Sequence, residues 1–249
     1  MVFKSVNFKL DEDKIILVIL PYYNRPNEVL RALESLAKQT FKNWRLAFID
    51  DGSKEPGESI VRGFLTEQEL KKVFFYNTND TPEIKKQRAI DNPDMPGADD
   101  KNAGSFFVPF INLAISDIKH DVALFLSDDD FLQIDYLKKL NNYYNYHEDI
   151  PYSFCNLILF DVKDDKMLYS SENNRFSRYV PTPPYFNFDG SQVSWTKQCY
   201  EDGCRFSEDI HVYWDAEWFK ILQDKYGLCN FNKLIGQFKN FDSKCFYYE

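Results

Sequence analysis

Cysteine and histidine are scarce in this chain of 249 residues, which contains five of the first and three of the second. The cysteines form no CxxC pair and their number is odd, so neither a structural zinc site nor a disulfide framework is expected. They are Cys155, Cys199, Cys204, Cys229 and Cys245. Reduced, buried thiols are therefore expected, as is typical of a cytosolic protein.

Long apolar runs are also missing from the sequence. The longest continuous run, residues 15–20, is far shorter than the roughly 20 residues that span a bilayer. Residues 1–14 are polar and charged, unlike a secretory signal peptide. We therefore expect a cytoplasmic protein without a transmembrane segment, whose contact with membranes, if it has any, is peripheral.

Positive charge is in deficit, because the formal net charge is −9 and no cluster of Lys and Arg stands out. Proteins that bind nucleic acid usually gain affinity from a basic surface that releases phosphate counterions. General nucleic-acid binding is therefore not expected. An acidic protein can still bind a nucleotide when a divalent metal lies between its carboxylates and the phosphates.

Apolar and aromatic residues, by contrast, are plentiful, at 44% and 17% of the chain. This content is enough to bury a core, and the length fits one large α/β domain. Short apolar runs alternate with helical patterns in the first half, which is typical of βαβ units and a parallel sheet. Strands are predicted at residues 15–20, 45–49, 73–76 and 122–126, and helices at residues 26–39, 60–65, 106–118 and 134–146.

The second half has a less regular pattern. It predicts a strand at residues 152–160, a hairpin turn at 162–166 and helices near 192–200 and 216–226. The polar stretch 77–101 is expected to form a flap beside the functional site, whose residues are described below. Residues 1–249 are interpreted as a single domain with a nucleotide-binding half, residues 14–150, and an acceptor-binding half, residues 151–249.

Acidic clusters follow the predicted strands. Asp50-Asp51 and Asp128-Asp129-Asp130 come directly after strands, and a later group contains Glu208, Asp209 and Asp215. Ligands of open α/β sheets bind at the carboxyl ends of the strands. Turns after strands also favour Asp, so one such cluster alone is weak evidence.

The cluster at residues 128–130 is the most informative of the three. Adjacent carboxylates repel one another unless a cation or hydrogen-bond donors offset the repulsion. Hard oxygen ligands suit Mg²⁺ or Mn²⁺, which a diphosphate would also ligate. Helix capping by Asp130 is the alternative interpretation for that residue.

The order of several motifs resembles the opening of the family-2 glycosyltransferases. The motifs are LVILPYYNR at residues 17–25, SLAKQT at 35–40, DDGS at 50–53, NAG at 102–104, NLAI at 112–115 and SDDD at 127–130. The last one resembles the Asp-x-Asp metal motif of that family. The spore-coat polysaccharide type is the most similar, and the resemblance covers residues 14–140 well and 185–227 loosely.

The resemblance implies a GT-A fold, a Rossmann-like α/β fold with a mostly parallel central sheet flanked by helices and a smaller acceptor-side region. It implies transfer of a sugar from a nucleotide-diphosphate sugar, with UDP the usual nucleotide, to a hydroxyl-bearing acceptor such as a carbohydrate. The aromatic stretch 179–188 and Trp195 are expected to shape the acceptor site.

By position, the resemblance also assigns the site residues. Residues Pro21, Tyr23 and Arg25 line the nucleoside pocket, where Tyr23 packs against the base. Asp51 accepts a hydrogen bond from the base. Asp128 approaches the ribose or the metal, and Asp129 ligates the metal, Mn²⁺ or Mg²⁺.

Two departures from the family pattern concern the phosphates. Ser127 stands where Asp is usual, and Ile111 stands where Arg is common. Phosphate contacts are therefore expected from Lys101 or Arg88.

The general base is implied by the motif at residues 215–219, DAEWF, which matches the start of a late helix in the family. Asp215 is the first candidate, and Asp209 is the second because the family often has Glu-Asp. A carboxylate that caps a helix is the structural alternative for both, and His211 is more readily a packed residue than a metal ligand. A single carboxylate base implies direct displacement with inversion at the anomeric carbon.

Two other functions share parts of this pattern. A sugar-phosphate nucleotidyltransferase also combines an α/β sheet with metal-binding carboxylates, but residues 21–25 contain no glycine for a loop that grips a triphosphate. A non-catalytic nucleotide- or carbohydrate-binding module would keep the fold without turnover. The presence of Asp51, Asp129 and Asp215 argues against such a module.

Overall fold

The structure of the chain is a computed structural model that describes residues 13–80, 83–84, 87, 90, 107–161, 166–170, 189–207 and 214–240. The strands in these ranges are β1 (Ile16–Tyr22), β2 (Trp44–Asp50), β3 (Val73–Asn77), β4 (Val122–Phe125), β5 (Phe131–Leu132), β6 (Tyr152–Asp161), β7 (Lys166–Ser170), β8 (Val193–Thr196) and β9 (Asn230–Asn240). The helices are α1 (Glu28–Ala37), α2 (Gly57–Phe64), α3 (Glu67–Leu70), α4 (Val108–Asp117), α5 (Tyr136–Tyr146), α6 (Lys197–Glu201) and α7 (Trp214–Tyr226).

The first four strands form a parallel sheet in the order β3-β2-β1-β4. Strand β1 lies inside this sheet, and residues 16–20 are fully buried. Alternate side chains of β1 point to opposite faces. Val18 packs on the face covered by α1, and Ile19 packs on the face covered by α4. This two-sided burial explains why β1 is a continuous apolar run.

The second half of the chain extends the same sheet with mixed pairing. Strand β8 is antiparallel to β4, and β6 is antiparallel to β8. Strand β9 is parallel to β6 and antiparallel to β5, while β7 pairs antiparallel with β6. The expected α/β class is confirmed, and the parallel arrangement applies to β1–β4 and to the β6–β9 pair.

The helix predicted near residues 192–200 is largely wrong. Residues Gly190–Gln192 form a 3₁₀ turn, residues Val193–Thr196 form β8, and the helix α6 covers only Lys197–Glu201. The reason is burial, because β8 lies between β4 and β6 and its Trp195 is fully buried. Trp195 packs against Trp218 in the core, so its expected place in the acceptor site is also wrong.

Several further differences concern short or irregular elements. Strand β9 was not predicted, because its pattern of buried residues alternates poorly. Helix α1 begins at Glu28, two residues after Pro26, with Asn27 as its N-cap. The hairpin turn at 162–166 lies mostly outside the described residues, although β6 and β7 pair antiparallel on either side of it.

The described cysteines agree with the expectation of reduced thiols. Cys155, Cys199 and Cys204 are buried, Cys229 is half-buried, and all four are unpaired. In the ranges described above, none of the helices combines the length and the apolar character needed to cross a bilayer.

Close packing of β9 against the core generates the first prediction. A Cβ atom at Gly236 would clash with Sγ of Cys155 and lie 3.0 Å from the ring of Tyr136. We expect Gly236→Ala to lower the free energy of unfolding by about 1–3 kcal/mol because it overpacks the core. The measurement is chemical denaturation.

Gly63→Ala is the matched control for that substitution. Gly63 lies in α2, and a Cβ atom there would meet nothing within 4 Å. Because Ala is a better helix former than Gly, we expect this variant to raise the free energy of unfolding by about 0.5–1 kcal/mol. Equal stability of the two variants would contradict the described packing of β9.

Candidate active site

The two aspartates at the carboxyl end of β2, Asp50 and Asp51, have different surroundings. The carboxylate of Asp50 accepts hydrogen bonds from the backbone N–H groups of Ser53 and Gly57, both at 2.8 Å. It therefore shapes the loop and the start of α2. Asp51 is 5% exposed, and its N–H donates to the carbonyl oxygen of Tyr22 at 2.9 Å. This bond joins the carboxyl ends of β1 and β2.

Residues after β1 connect this loop to the end of β4. The N–H of Asn24, whose φ is 53°, donates to Oγ of Ser53 at 3.0 Å. The N–H of Tyr23 donates to Oδ2 of Asp128 at 3.0 Å. Burial raises the pKa of the Tyr23 hydroxyl, and the charge of Asp51 raises it further. Tyr23 thus lies between the two acidic clusters that the sequence predicts as parts of one site.

The cluster after β4 is bridged by a single cation. One guanidinium nitrogen of Arg25, Nη1, lies 2.8 Å from Oδ1 of Asp128 and 2.9 Å from Oδ2 of Asp129. The side chain of Asp128 is 9% exposed and that of Asp129 is 28% exposed. Burial raises the pKa of Asp128 to about 6, with Arg25 lowering it and Asp129 raising it.

Asp130 belongs to a different environment from its two neighbours. Its Oδ1 accepts a hydrogen bond from the N–H of Asn240 at 2.9 Å, and its Oδ2 lies 3.5 Å from Nζ of Lys239. Its interpretation as a helix cap is wrong, because the N-cap of α5 is Asp135. Asp130 instead ties the loop after β4 to β9.

Asp215 lies in the first turn of α7. The preceding residue, Trp214, packs its ring against Phe125 with 4.7 Å between centroids. Because Phe125 is the last residue of β4, this contact brings the start of α7 to the carboxyl end of that strand. Burial raises the pKa of Asp215 to about 6, and the nearby charge of Asp189 contributes to the rise.

Gln39, which belongs to the motif SLAKQT and lies just after α1, has a structural role. Nε2 of Gln39 donates to the carbonyl oxygens of Ser35 at 3.1 Å and Gln133 at 2.9 Å. Its Oε1 accepts from the N–H of Leu137 at 3.1 Å. Gln39 is fully buried, so it fastens α1 to the segment that follows the acidic cluster.

Several of the predicted residues fall outside the described ranges. They are Lys101, Arg88, Glu208, Asp209, His211, residues 102–104 and the aromatic stretch 179–188. The flap expected at residues 77–101 lies mostly outside as well. Pro21 is described, and it pairs with Ile49 in the β1–β2 ladder.

Sequence reasoning missed two charged residues beside the site, Asp189 and Lys239. Nζ of Lys239 lies 2.8 Å from Oδ2 of Asp189. Lys239 was missed because β9 was not predicted, so nothing indicated which side chains this strand carries. The pair Asp189-Gly190 is a signal of a turn, but it does not reveal a charged partner.

A divalent cation is implied by the Asp-x-Asp resemblance, and the residues after β4 fit one. One oxygen of Asp128 and one of Asp129 approach the same cationic nitrogen of Arg25, so the two carboxylates converge on a single point where a cation can bind. Across the described ranges, no three Asp, Glu, His or Cys side chains are grouped to hold a metal ion. Two carboxylates are nevertheless enough for Mg²⁺, which takes its other ligands from water and substrate phosphates.

Comparison with solved structures defines the class of the fold. TarS of S. aureus, in complex with UDP-GlcNAc, has a TM-score of 0.61 at 14% identity, over 92% of this chain and 59% of that chain. The mannosyltransferase PcManGT from Pyrobaculum calidifontis, in complex with GDP-Man and Mn²⁺, has a TM-score of 0.60 at 14% identity, over 94% and 59%. The fold is that of the GT-A glycosyltransferases.

Comparison of sequences is consistent with this fold. Residues 17–91 match the model of the family "Glycosyl transferase family 2". An uncharacterized glycosyltransferase of Haemophilus influenzae is 24% identical over 147 residues, 57% of this chain and 49% of the relative. One of Rickettsia typhi is 25% identical over 171 residues, 66% of this chain and 43% of the relative. The chain thus spans about half the length of these relatives, and the matches support a family-2 glycosyltransferase.

The tight loop after β2 generates the second prediction. Gly52 has a φ of 72°, and a Cβ atom there would clash with the backbone oxygen of Asp80. We expect Gly52→Ala to lower the free energy of unfolding by more than the roughly 1–2 kcal/mol that left-handed backbone costs a residue with a Cβ. Thermal denaturation measures the loss.

Gly203→Ala isolates the backbone contribution, because Gly203 has a φ of 90° but no neighbour within 4 Å of a Cβ atom. The free energy of unfolding of this control should fall only by the cost of placing a residue with a Cβ atom in the left-handed backbone conformation. A loss at Gly52 no larger than at Gly203 would mean that the loop yields without strain.

Proposed function

We propose that this chain is an inverting glycosyltransferase that moves a sugar from a nucleotide-diphosphate sugar to a hydroxyl-bearing acceptor. The observation that carries the proposal is the pair Asp128 and Asp129, which converges on one cationic nitrogen beside Tyr23. A departing diphosphate needs a cation that offsets its developing negative charge, and a pair of carboxylates can hold such a cation.

The donor is proposed to bind at the carboxyl ends of β1 and β2. Tyr23 would pack against the base and Asp51 would accept a hydrogen bond from it, with Pro21 and Arg25 completing the pocket. The chemistry of the solved relatives supports a nucleotide sugar, since one was solved with UDP-GlcNAc and one with GDP-Man and Mn²⁺. UDP is the nucleotide that we propose.

Asp128 and Asp129 are the residues that would hold the divalent cation, Mn²⁺ or Mg²⁺. A cation bound there supplies Lewis-acid stabilisation of the diphosphate. Asp129 is the more exposed of the two side chains, so it is the proposed direct ligand. Asp128, whose Oδ2 is occupied by the N–H of Tyr23, is proposed to act beside it.

Asp215 is the proposed general base. Its carboxylate would take the proton of the acceptor hydroxyl while that oxygen attacks the anomeric carbon, and the nucleoside diphosphate would leave from the opposite face. Its raised pKa, about 6, makes it a better proton acceptor than an ordinary Asp and still leaves it mostly ionised at pH 7. Direct displacement by one hydroxyl inverts the anomeric configuration.

Other expectations from the sequence stay predictions. They are the spore-coat type of the enzyme, a cytoplasmic or membrane-peripheral location, one domain with halves at 14–150 and 151–249, Lys101 as a phosphate contact and Asp209 as the second candidate base. None of them is needed for the assignment of Asp129 and Asp215.

The metal assignment predicts a ligand-dependent gain in stability. We expect UDP with Mn²⁺ to raise the melting temperature of the wild type, since a ligand at 100 times its Kd stabilises by about 2.7 kcal/mol. UDP without the metal should have a much smaller effect. Asp129→Ala should abolish the metal-dependent part, as measured in a thermal-shift assay with several nucleoside diphosphates.

Asp117→Ala is the control, because Asp117 is exposed at the end of α4, away from the acidic cluster. It should retain the full shift. An undiminished shift in Asp129→Ala would exclude Asp129 as a metal ligand.

The base assignment predicts the kinetics of Asp215→Asn. We expect kcat to fall about 10²–10⁴-fold, the usual contribution of a general base, with the KM for the donor little changed. Asp224→Asn on the same helix is the control, because Asp224 is exposed and pairs only with Lys220 among the ion pairs of the described residues. The rates are measured as the release of nucleoside diphosphate from a nucleotide-sugar donor.

The same assignment fixes the direction of the pH dependence. Asp215 must be ionised to accept a proton, so kcat should rise with pH through about 6 in the wild type. A profile without this acid limb, or full activity in Asp215→Asn, would transfer the role to another residue.

A further inference from the structure

A buried ionic cluster lies next to the proposed site, on the side of β9. Nζ of Lys239 is 2.8 Å from Oδ2 of Asp189 and 3.5 Å from Oδ2 of Asp130. The Lys239 side chain is 16% exposed, and those of Asp130 and Asp189 are 1% and 12% exposed. One lysine thus lies beside two largely buried carboxylates, whose charges would be costly to bury without it.

Asp189 organises the turn that follows it. Its Oδ1 accepts hydrogen bonds from the N–H group, at 3.0 Å, and the hydroxyl of Ser191. The N–H of Asp189 donates to Oε1 of Gln192 at 3.0 Å. We call residues 189–192 the Asp189 turn. Its shape depends on the carboxylate that Lys239 holds.

The Asp189 turn packs directly against the proposed base. A Cβ atom at Gly190 would lie 3.3 Å from Cβ and 3.4 Å from Oδ2 of Asp215. The side chain of Asp215 therefore contacts the Asp189 turn, and the carboxylate of Asp189 is paired with Lys239. Through this chain of contacts, Lys239 connects the acidic loop after β4 with the first turn of α7.

The charges of the cluster act on Asp215 in opposite senses. The charge of Asp189 raises the pKa of Asp215, and that of Lys239 lowers it. Burial raises the pKa of Asp189, but Lys239 and the hydrogen bonds of Ser191 outweigh it, and the net pKa is lowered. On α7 itself, Glu217 is the next carboxylate after Asp215.

We propose that Lys239 is a positioning residue for the general base. It keeps the carboxylate of Asp189 charged and balances that charge, and in this way it holds the Asp189 turn against Asp215. The inference rests on the proposed function for the role of Asp215 as the base. The contact between the cluster and Asp215 is independent of that role, and it can be measured without turnover.

The experiment is a pH titration of the metal-free protein by ¹³C NMR of labelled aspartate carboxylates. Asp215→Asn assigns the resonance of Asp215. Asp189→Asn assigns that of Asp189. In Lys239→Met, we expect the midpoint of Asp189 to rise by about one pH unit or more, because it loses a nearby opposite charge. In Asp189→Asn, the midpoint of Asp215 should fall, because Lys239 remains and the repelling carboxylate is gone.

Two further variants serve as controls. Lys220→Met removes an exposed lysine from α7 and should leave both midpoints unchanged. In Lys239→Met/Asp189→Asn both partners of the pair are neutral, so the midpoint of Asp215 should return close to the wild-type value. Because Lys239→Met leaves two buried carboxylates without their cation, it can fail to fold. Asp189→Asn, which keeps Lys239 beside Asp130, then carries the test alone.

An unchanged midpoint of Asp189 in folded Lys239→Met, or an unchanged midpoint of Asp215 in Asp189→Asn, would overturn the proposal. A loss of melting temperature without any change in either midpoint would mean that Lys239 only stabilises the fold. With a nucleotide-sugar donor, Lys239→Met should lower kcat without raising the KM for the donor, and Asp189→Asn should move the acid limb downward in pH. If the wild type transfers no sugar, the proposed function fails while the titration still tests the link between Lys239 and Asp215.

Discussion

Repulsion between carboxylates is the constraint on which the rest of this structure depends. Asp128 is buried, and its charge is tolerated because the N–H of Tyr23 and the guanidinium of Arg25 bind its two oxygens. Both partners come from the loop after β1, so this loop must lie across the end of β4. The parallel neighbours β1 and β4 make that possible, since their carboxyl ends meet at one edge of the sheet.

The second half of the sheet supplies the partners of the third carboxylate. Oδ1 of Asp130 accepts a hydrogen bond from the N–H of Asn240, and its Oδ2 lies 3.5 Å from Nζ of Lys239, which is also paired with Asp189. Both partners lie on β9, which pairs antiparallel with β5. The loop after β4 is thus held by the loop after β1 through Asp128 and by β9 through Asp130.

Local patterns were sufficient to predict β1 to β4 and the helices α1, α2 and α4, but not the four-residue helix α3. Strands β1, β2 and β4 are largely buried, which leaves continuous apolar runs in the sequence. They also pointed to Asp51, Asp128, Asp129 and Asp215, whose roles stay proposals. The patterns failed where tertiary contacts decide: β8 is a strand because it lies between β4 and β6, and β9 owes its course to partners far away in sequence. Lys239 and Asp189 were missed for that reason, and Trp195 was misassigned because an aromatic residue fits a core as well as a sugar site.

Long-range pairing of β9 has a consequence for the order of folding. The bond between Asn240 and Asp130 joins residues 110 positions apart, and contacts of such separation form late because chain closure costs entropy. Asp130 therefore acquires the N–H of Asn240 and the nearby Nζ of Lys239 only once β9 has paired with β5.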